Sequence, residues 1–482
     1  MNNLYPTVYL HYILLMKNIL INNELFETIS NVANDNGVRI YAVGGFVRDY
    51  LLGKTCKDID FVLEGDGPQY AVKLAKKLGS TNFTVYKKFG TAMIKYQDMV
   101  LEFVGARKES YREGSRKPDV EGTDLLTDLS RRDFTVNAIA ISLNADSSGK
   151  VIDPYNGRKD IKRKIIRTPL DPEKTFFDDP LRTMRAVRFA CQLDFKIDDV
   201  TMKGLSSEKE RLKIISQERI TDELLKILAS PKPSVGFKIM DQTGILPVIL
   251  PEIAAMKGVD QVGKHSHKDV FYHTIQVIDN VAKVSQDINM RLVALFHDVA
   301  KPATKQFKPK IGWTFHGHDD LGARMLPDIF KKLKLSNDML KYTEKLVRLH
   351  LRPIHLAEEG VTDSAIRRLI FDAGQEVDDL LMFCRADITS ANPRRVKEHL
   401  GNFDYVVKRI HEVEEKDRLR EFQPPVDGNE IMTLFNIKPG PVVGKLKKAV
   451  EEAILNGEIP NEHDAAFQYL LSIKDSILDR SS

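Results

Sequence analysis

Apolar and polar positions change rhythm several times along the chain, and each change predicts a different layer. From Phe26 to Asn36 the apolar residues recur at helical spacing. Short β-branched and aromatic runs follow, RIYAV, DIDFVL, FTVY, TAMIKY and MVLEFVGA, and these read as strands. Between the second and third, GPQYAVKLAKKLG has a helical period, and Gly79 suits its C-terminal cap. The mixture predicts a compact α/β module ending near residue 160. Arg107 to Thr127 is polar and rich in Gly, Lys, Glu and Asp, and is expected to be a long mobile loop. After Asp171 the helical period takes over, punctuated by SPKPS and LPVILPE. A further boundary is expected near KGVDQVGKHSHKD, then helices from His273 to Asp387, then a charged helical tail from about Asn392.

The apolar run LYPTVYLHYILLM near the start is too short to span a bilayer. It has no basic residues before it and no small-residue cleavage site, so it is a poor signal peptide. Met16 is read as the true start, with residues 1–25 as an N-terminal extension. No other segment could cross a membrane, so no membrane partner is expected.

Length changes the picture first: 482 residues suggest about three or four domains. The net charge of +4 is too weak to argue for nucleic acid by itself, which leaves that case to local clusters. Cys56, Cys191 and Cys384 are scattered and form no Cys-x-x-Cys pair. This argues against a disulfide framework and a structural zinc site, and for a reducing, cytoplasmic setting.

The densest chemistry lies in VRIYAVGGFVRDYLLGKTCKDIDFVLEG. Asp58 and Asp60 alternate on a strand and therefore share a face. Two carboxylates so placed repel unless a cation lies between them, and hard oxygen ligands suit magnesium. Glu102, on the run VLEFVGA, could close the cluster. Gly44 and Gly45 follow a strand and lack Cβ, which lets backbone amides approach a phosphate. Arg48 adds a charge nearby.

With four later stretches, this segment resembles the nucleotidyltransferase head of bacterial-type CCA-adding enzymes and poly(A) polymerases. The stretches are RRDFTVNAIA, IDPYNGRKDIKRKIIRT, DDPLRTMRAVRFA and SQERITDELLKIL, so the resemblance spans roughly Val38 to Leu228. It implies a polymerase-beta-like head with a small mixed sheet, then an all-α neck and body that binds RNA. Asp58 and Asp60, helped by Glu102, would hold catalytic magnesium. Read as a helix, DDPLRTMRAVRFA makes Asp179 and Arg182 neighbours three residues apart. Cytosine and adenine share an amine donor beside a ring-nitrogen acceptor, so one Asp–Arg pair could select both without a template. The resemblance assigns that role to Asp179 and Arg182, with Asp178 where the family usually has Glu. Gly45, Arg48, Arg132, Arg185 and Arg188 would contact the incoming nucleotide. Asp133 and Asn137 would order the site or touch the ribose. Arg158, Lys159, Lys162, Arg163, Lys164 and Arg167 concentrate charge that could line an RNA path.

His273, the pair His297–Asp298 and Asp387 reproduce the order H…HD…D, each on an expected helix. Imidazoles with carboxylates suit a divalent ion that activates water against a phosphate ester. The arrangement resembles the HD phosphohydrolase superfamily, with His318 and His350 as extra ligands. It implies phosphatase, 2′-nucleotidase or cyclic phosphodiesterase activity.

The expected fold is thus α+β: a head over 26–160, a helical neck over 161–255, an HD domain over 265–390 and a helical tail over 391–482. The expected activity is metal-dependent addition of CCA to the tRNA 3′ end from CTP and ATP. The alternatives are poly(A) addition, CC-only or A-only addition, and an HD phosphohydrolase whose head only binds RNA. The oligomeric state is left open.

Overall fold

A computed structural model describes residues 24–86, 90–110, 119–263, 266–309, 312–359, 362–389, 393–417 and 425–478. The expected start at Met16 and the extension before it lie outside the described residues. The chain divides into two compact units, Met1–Leu250 and Pro251–Ser482.

The first unit is built on a seven-stranded sheet in the order β3-β4-β5-β2-β1-β8-β9. The strands are β1 (Arg39–Val43), β2 (Asp58–Glu64), β3 (Phe83–Tyr86), β4 (Thr91–Tyr96) and β5 (Met99–Gly105), with β8 (Ala140–Ser142) and β9 (Val151–Ile152) at the far edge. β2 and β5 run parallel and the other neighbours antiparallel, so the sheet is mixed. The parallel step needs a crossover, and the helix Gly67–Lys77 lies within it. Asp66 caps that helix by accepting from the Gln69 amide.

Alternation along β2 divides labour between two faces. Ile59 and Phe61 are buried, and Phe61 stacks on Phe103 of β5 at 4.8 Å. Asp58 and Asp60 are exposed on the opposite face. Val62 continues that face, but Val43, Leu125, Leu129 and Ala140 cover it. The carboxylates therefore sit at the open end of a face that is apolar further along.

Arg107 to Thr127 is not one long loop. β6 (Arg107–Ser110) pairs antiparallel with β7 (Asp119–Gly122), and a helix follows at Leu125–Ser130. The hairpin has no apolar alternation, so hydrophobic periodicity could not reveal it. Gly44 follows β1 directly, as expected, and begins the helix Gly44–Leu51.

Past the sheet the first unit is helical. The helices Pro172–Asp178, Leu181–Leu193, Asp199–Glu208, Gln217–Leu228 and Pro233–Thr243 pack through Phe176, Val187, Leu224 and Phe237, all buried. The motif DDPLRTMRAVRFA is not one helix. Asp179 has φ −137° and ψ 97°, because the following proline excludes the helical region at that position.

The second unit contains the helices Val270–Val284, Ile288–Phe296, His318–Leu333, Asn337–Leu349 and Val377–Asp387. Their apolar faces meet in a core that includes Phe271, Phe296, Phe330 and Phe383. The charged tail is helical at Pro393–Asp417, Gly428–Phe435, Pro441–Asn456 and His463–Leu478.

Gly157 marks the tightest contact in the first unit: a Cβ there would lie 2.1 Å from the Thr135 carbonyl oxygen. Gly157→Ala is expected to cost about 1–3 kcal/mol through overpacking, read as a lower urea midpoint in unfolding of the full chain.

Candidate functional site

The parallel register of β2 and β5 sets Asp58 beside Val100 and Asp60 beside Glu102. Three carboxylates thus share one open face across two strands. Partial burial pushes the Asp60 carboxyl above its ordinary range; Arg132 opposes the shift and Asp58 adds to it. Burial, then the charge of Asp60, does the same to Glu102. Acids crowded in this way favour a cation between them. The donor set, all carboxylate oxygen, fits a hard divalent ion.

Val43 pairs with Asp60 across β1 and β2, so the chain leaves β1 alongside that carboxylate. Gly44 has φ +73°, and a Cβ on it would meet Asp60 Oδ2 and Arg132 Nη1, each at 3.1 Å. Both the conformation and the space require glycine here. Arg132 is held by Asp128, which accepts from its Nε at 3.3 Å and its Nη2 at 3.1 Å. Asp128 also accepts from Arg131 and is fully buried. Asp128 was missed in the sequence, although Arg131 and Arg132 stand three and four residues after it on one helix face.

Three arginines expected to touch the nucleotide are occupied otherwise. Arg48 is buried, and its guanidinium donates to Asn137 and to both oxygens of Asp49. Arg185 donates twice to Asp133 Oδ2, at 2.9 and 2.6 Å. Arg188 donates to the buried Glu223 at 2.6 Å. All three stand over the ring of Phe189, at 5.0, 5.4 and 4.3 Å from its centre. Burial demands that each cation be paired, and the acids at hand supply the pairs. Asp133 and Asn137 thus order Arg185 and Arg48, joined by an Asn137–Asp133 hydrogen bond of 2.9 Å. Gly45 lies near this group: its Cβ position is 3.6 Å from Arg48 Nη2.

Asp179 and Arg182 are not helical neighbours. The Asp179 carboxylate accepts from the Leu181 amide at 3.2 Å, and its carbonyl accepts from the Arg182 amide at 3.0 Å. Asp179 therefore caps the helix that carries Arg182. Both remain partly exposed. In the basic run, Arg158 and Arg167 lie against acids, whereas Lys159, Lys162, Arg163 and Lys164 are exposed.

In the second unit, His273 Nε2 lies 2.9 Å from Asp387 Oδ1, and His297 Nε2 lies 3.2 Å from Asp298 Oδ2. His318 Nε2 stands 3.3 Å from Asp298 Oδ1. Two close groups of ligand atoms result, His273–His297–Asp298 and Asp298–His318–His350, sharing one carboxylate. The sequence order had singled out His273, His297, Asp298 and Asp387, and the superfamily resemblance added His318 and His350; neither singled out Lys301, whose Nζ donates to Asp298 at 2.7 Å.

Tautomers test whether a metal fits. Nδ1 lies 3.0 Å from the Ala294 carbonyl in His297, 2.8 Å from that of Phe315 in His318, and 2.6 Å from that of Val347 in His350. A carbonyl only accepts, so each of these Nδ1 atoms carries a proton, and Nε2 is left as the ring nitrogen whose lone pair can bind a metal at the centre. Those lone pairs face carboxylates and one another, with His297 Nε2 only 3.4 Å from His273 Nε2. A divalent ion resolves that conflict, so the residues fit one. Burial lowers the His350 pKa to about 4, helped by His297 and His318, which keeps that ring a neutral donor. Burial alone would lower the His297 value, but Asp298 and Asp387 overcome it and raise it. Burial opposes ionisation of Asp387, yet His297 and His273 hold it well below the usual carboxylate range.

Residues 40–167 match the Poly A polymerase head domain. Residues 194–257 match the probable RNA and SrmB-binding site of polymerase A, and 270–392 match the HD domain. An A-adding tRNA nucleotidyltransferase of Deinococcus radiodurans is 31% identical over 88% of this chain and 93% of its own. A CC-adding tRNA nucleotidyltransferase of Thermus thermophilus is 30% identical over 88% and 92%. A multifunctional CCA protein of Psychromonas ingrahamii is 35% identical over 68% and 78%. Among solved structures, the Bacillus stearothermophilus CCA-adding enzyme in complex with CTP shares the fold, with TM-score 0.66, 23% identity and coverage of 95% and 100%. Among the described residues no helix is long and apolar enough to cross a membrane.

The Asp133–Arg185 pair makes a pH prediction. Burial alone would raise the Asp133 pKa, but Arg185 and Asn137 bring it down to about 2. A depressed folded value stabilises above the unfolded pKa of about 4, and that stability is lost as pH falls towards 2. Asp133→Asn is therefore expected to cost about 2 kcal/mol at pH 7 and much less near pH 3, measured by urea unfolding at both.

Proposed function

The chain belongs to the tRNA nucleotidyltransferase family, and from that premise we propose that it adds C, C and A to the 3′ end of tRNA without a template. The substrates are CTP and ATP, and pyrophosphate is released. The observation that carries the reading is the open row of Asp58, Asp60 and Glu102 beside Gly44. Magnesium held there supplies charge that acidifies the attacking hydroxyl and offsets charge on the leaving pyrophosphate.

The protein's own part is positioning. Asp58 and Asp60 are the metal carboxylates, with Glu102 beside Asp60 in register. The amides at Gly44 and Gly45 open a helix, and such amides attract phosphate. Arg132, steered by Asp128 towards Asp60, is the arginine nearest the reacting phosphate. The tRNA 3′ oxygen bonds to the α-phosphorus as the bond to pyrophosphate breaks. Asp179 accepts from the base amine and Arg182 donates to the ring nitrogen, which suits C and A and rejects U and G. Arg48, Arg185 and Arg188 act as positioning residues, because their charges are committed to acids of the protein. Exposed Lys159, Lys162, Arg163 and Lys164 meet the RNA backbone. The reaction belongs in the cytoplasm, where tRNA and nucleotides are found.

Extension of tRNA lacking its 3′ end, with each triphosphate alone and all together, tests this reading at single-nucleotide resolution. Addition of C, C and A that then stops is the expected result. Asp60→Ala is expected to lower incorporation at least about 100-fold, in line with losing electrostatic stabilisation of the transition state. A long A tail would place the protein with poly(A) polymerases; C, C alone or A alone would give it the narrower activity of a CC-adding or an A-adding enzyme. No incorporation would sink the reading.

The inward-facing histidine lone pairs favour a second activity, hydrolysis of a terminal RNA phosphoester at the His297–Asp298 centre. His273, His297, Asp298 and Asp387 would hold a divalent ion that lowers the pKa of bound water. His318 and His350 offer a second set of ligands through Asp298. Metal analysis of the full-length protein is expected to find bound divalent ion that Asp298→Ala loses, with tRNA extension retained. Equal metal content in both proteins would rule the centre out.

A further inference from the structure

Immediately before His318 the chain forms a small hairpin, Gln306–Lys308 paired with Gly312–Thr314. Phe307 and Trp313 face each other across it, with ring centres 5.3 Å apart and an edge-to-face angle of 69°. Cross-strand pairing accounts for that contact. It does not account for their outward placement: Phe307 is 62% exposed and Trp313 40% exposed. Lys305 Nζ lies 4.7 Å from the Trp313 ring centre, and Lys308 is exposed. Open aromatic faces interleaved with lysines are the means by which proteins stack bases and hold phosphates of single-stranded nucleic acid.

The hairpin is also wired to the histidine centre. Two residues after Trp313, Phe315 supplies the carbonyl that fixes the His318 ring. The Phe315 ring also receives Lys301, which at the same time donates to Asp298. A base stacked on Trp313 would thus be gripped by the segment that orients a metal ligand.

We propose that the Phe307–Trp313 hairpin stacks the terminal base of a single-stranded RNA whose terminal phosphate enters the histidine–aspartate centre. This rests on the hydrolase reading of that centre. There, water adds to phosphorus, the bond from phosphorus to the ribose oxygen breaks, and that oxygen takes up a proton. The hairpin selects substrates that carry a base, and so gives an otherwise general phosphoester centre its preference.

Trp313 is the only tryptophan of the chain, so its emission reports on the hairpin within the full-length protein. The probe is a trinucleotide of RNA ending in a 3′-phosphate, compared with the same probe made abasic at its last residue. Titration is expected to quench Trp313, about tenfold more tightly with the base than without it, the lower end for one stacked base. Phe307→Ala is expected to weaken the base-bearing probe about tenfold, and Phe307→Tyr to restore most of the loss. In hydrolysis, Trp313→Ala should cut the kcat/KM preference for base-bearing over abasic probe about tenfold, whereas Trp313→Phe keeps it. Equal quenching by the two probes, or hydrolysis that ignores the base, overturns the proposal and leaves the hydrolase reading standing. Base-dependent quenching without hydrolysis upholds stacking by the hairpin and removes the hydrolase reading.

Discussion

A buried carboxylate must be paired, and in the first unit one such pair sets the arrangement around it. Asp133 is largely buried, so it takes Arg185 from the helix Leu181–Leu193 and the amide of Asn137 from its own turn. Asn137 in turn accepts from Arg48, on the helix that starts beside Asp60. The chain of hydrogen bonds therefore runs from the helix that carries Arg182 to the turn that borders the carboxylate row. Removing any member leaves a buried polar group alone, a penalty larger than the value of the bond itself. This is how the helix that carries Arg182 is held in place relative to the helix that starts beside Asp60.

The second unit solves the opposite problem. Its polar centre brings together groups with the same need: lone pairs on nitrogen and oxygen, aimed inward. Backbone carbonyls one helical turn back hold the rings of His297, His318 and His350 by their Nδ1 protons, so tautomer exchange cannot relieve the crowding there, whereas the His273 Nδ1 meets the Thr389 hydroxyl. Lys301 neutralises part of it from the side of Asp298. In the arginine cluster charges are matched within the protein; in the histidine centre, as in the row of Asp58, Asp60 and Glu102, they are left for something the protein binds.

Much of this was legible in the sequence. The strands around Asp58, Asp60 and Glu102 follow from alternation alone, and β3 and β4 begin and end where the apolar runs do. In the histidine centre, His273, His297, Asp298 and Asp387 follow from their order and type, and His318 and His350 from the superfamily resemblance. What escaped was of two kinds. The strands of the hairpin β6–β7, RKES and DVEG, contain a single apolar side chain, Val120, so no period betrays it. Arg185 and Arg188 pair with acids 52 and 35 positions away, and Arg48, besides its neighbour Asp49, donates to the Asn137 amide 89 positions away; no local pattern encodes the distant pairings. Asp179 was misjudged because Pro180 breaks the helix that periodicity alone would continue.

The stacking of three guanidinium groups on Phe189 has a consequence for how the protein senses its ionic surroundings. A cation already neutralised by a protein acid releases few counterions when a polyanion arrives. Those three arginines, although among the most concentrated positive charge near the sheet, would be nearly invisible to added salt. The ionic-strength dependence of polyanion binding then rests more on solvent-facing cations such as Lys159 and Arg163. Formal charge thus overstates the attraction this surface exerts at a distance, and shape must do more of the selecting.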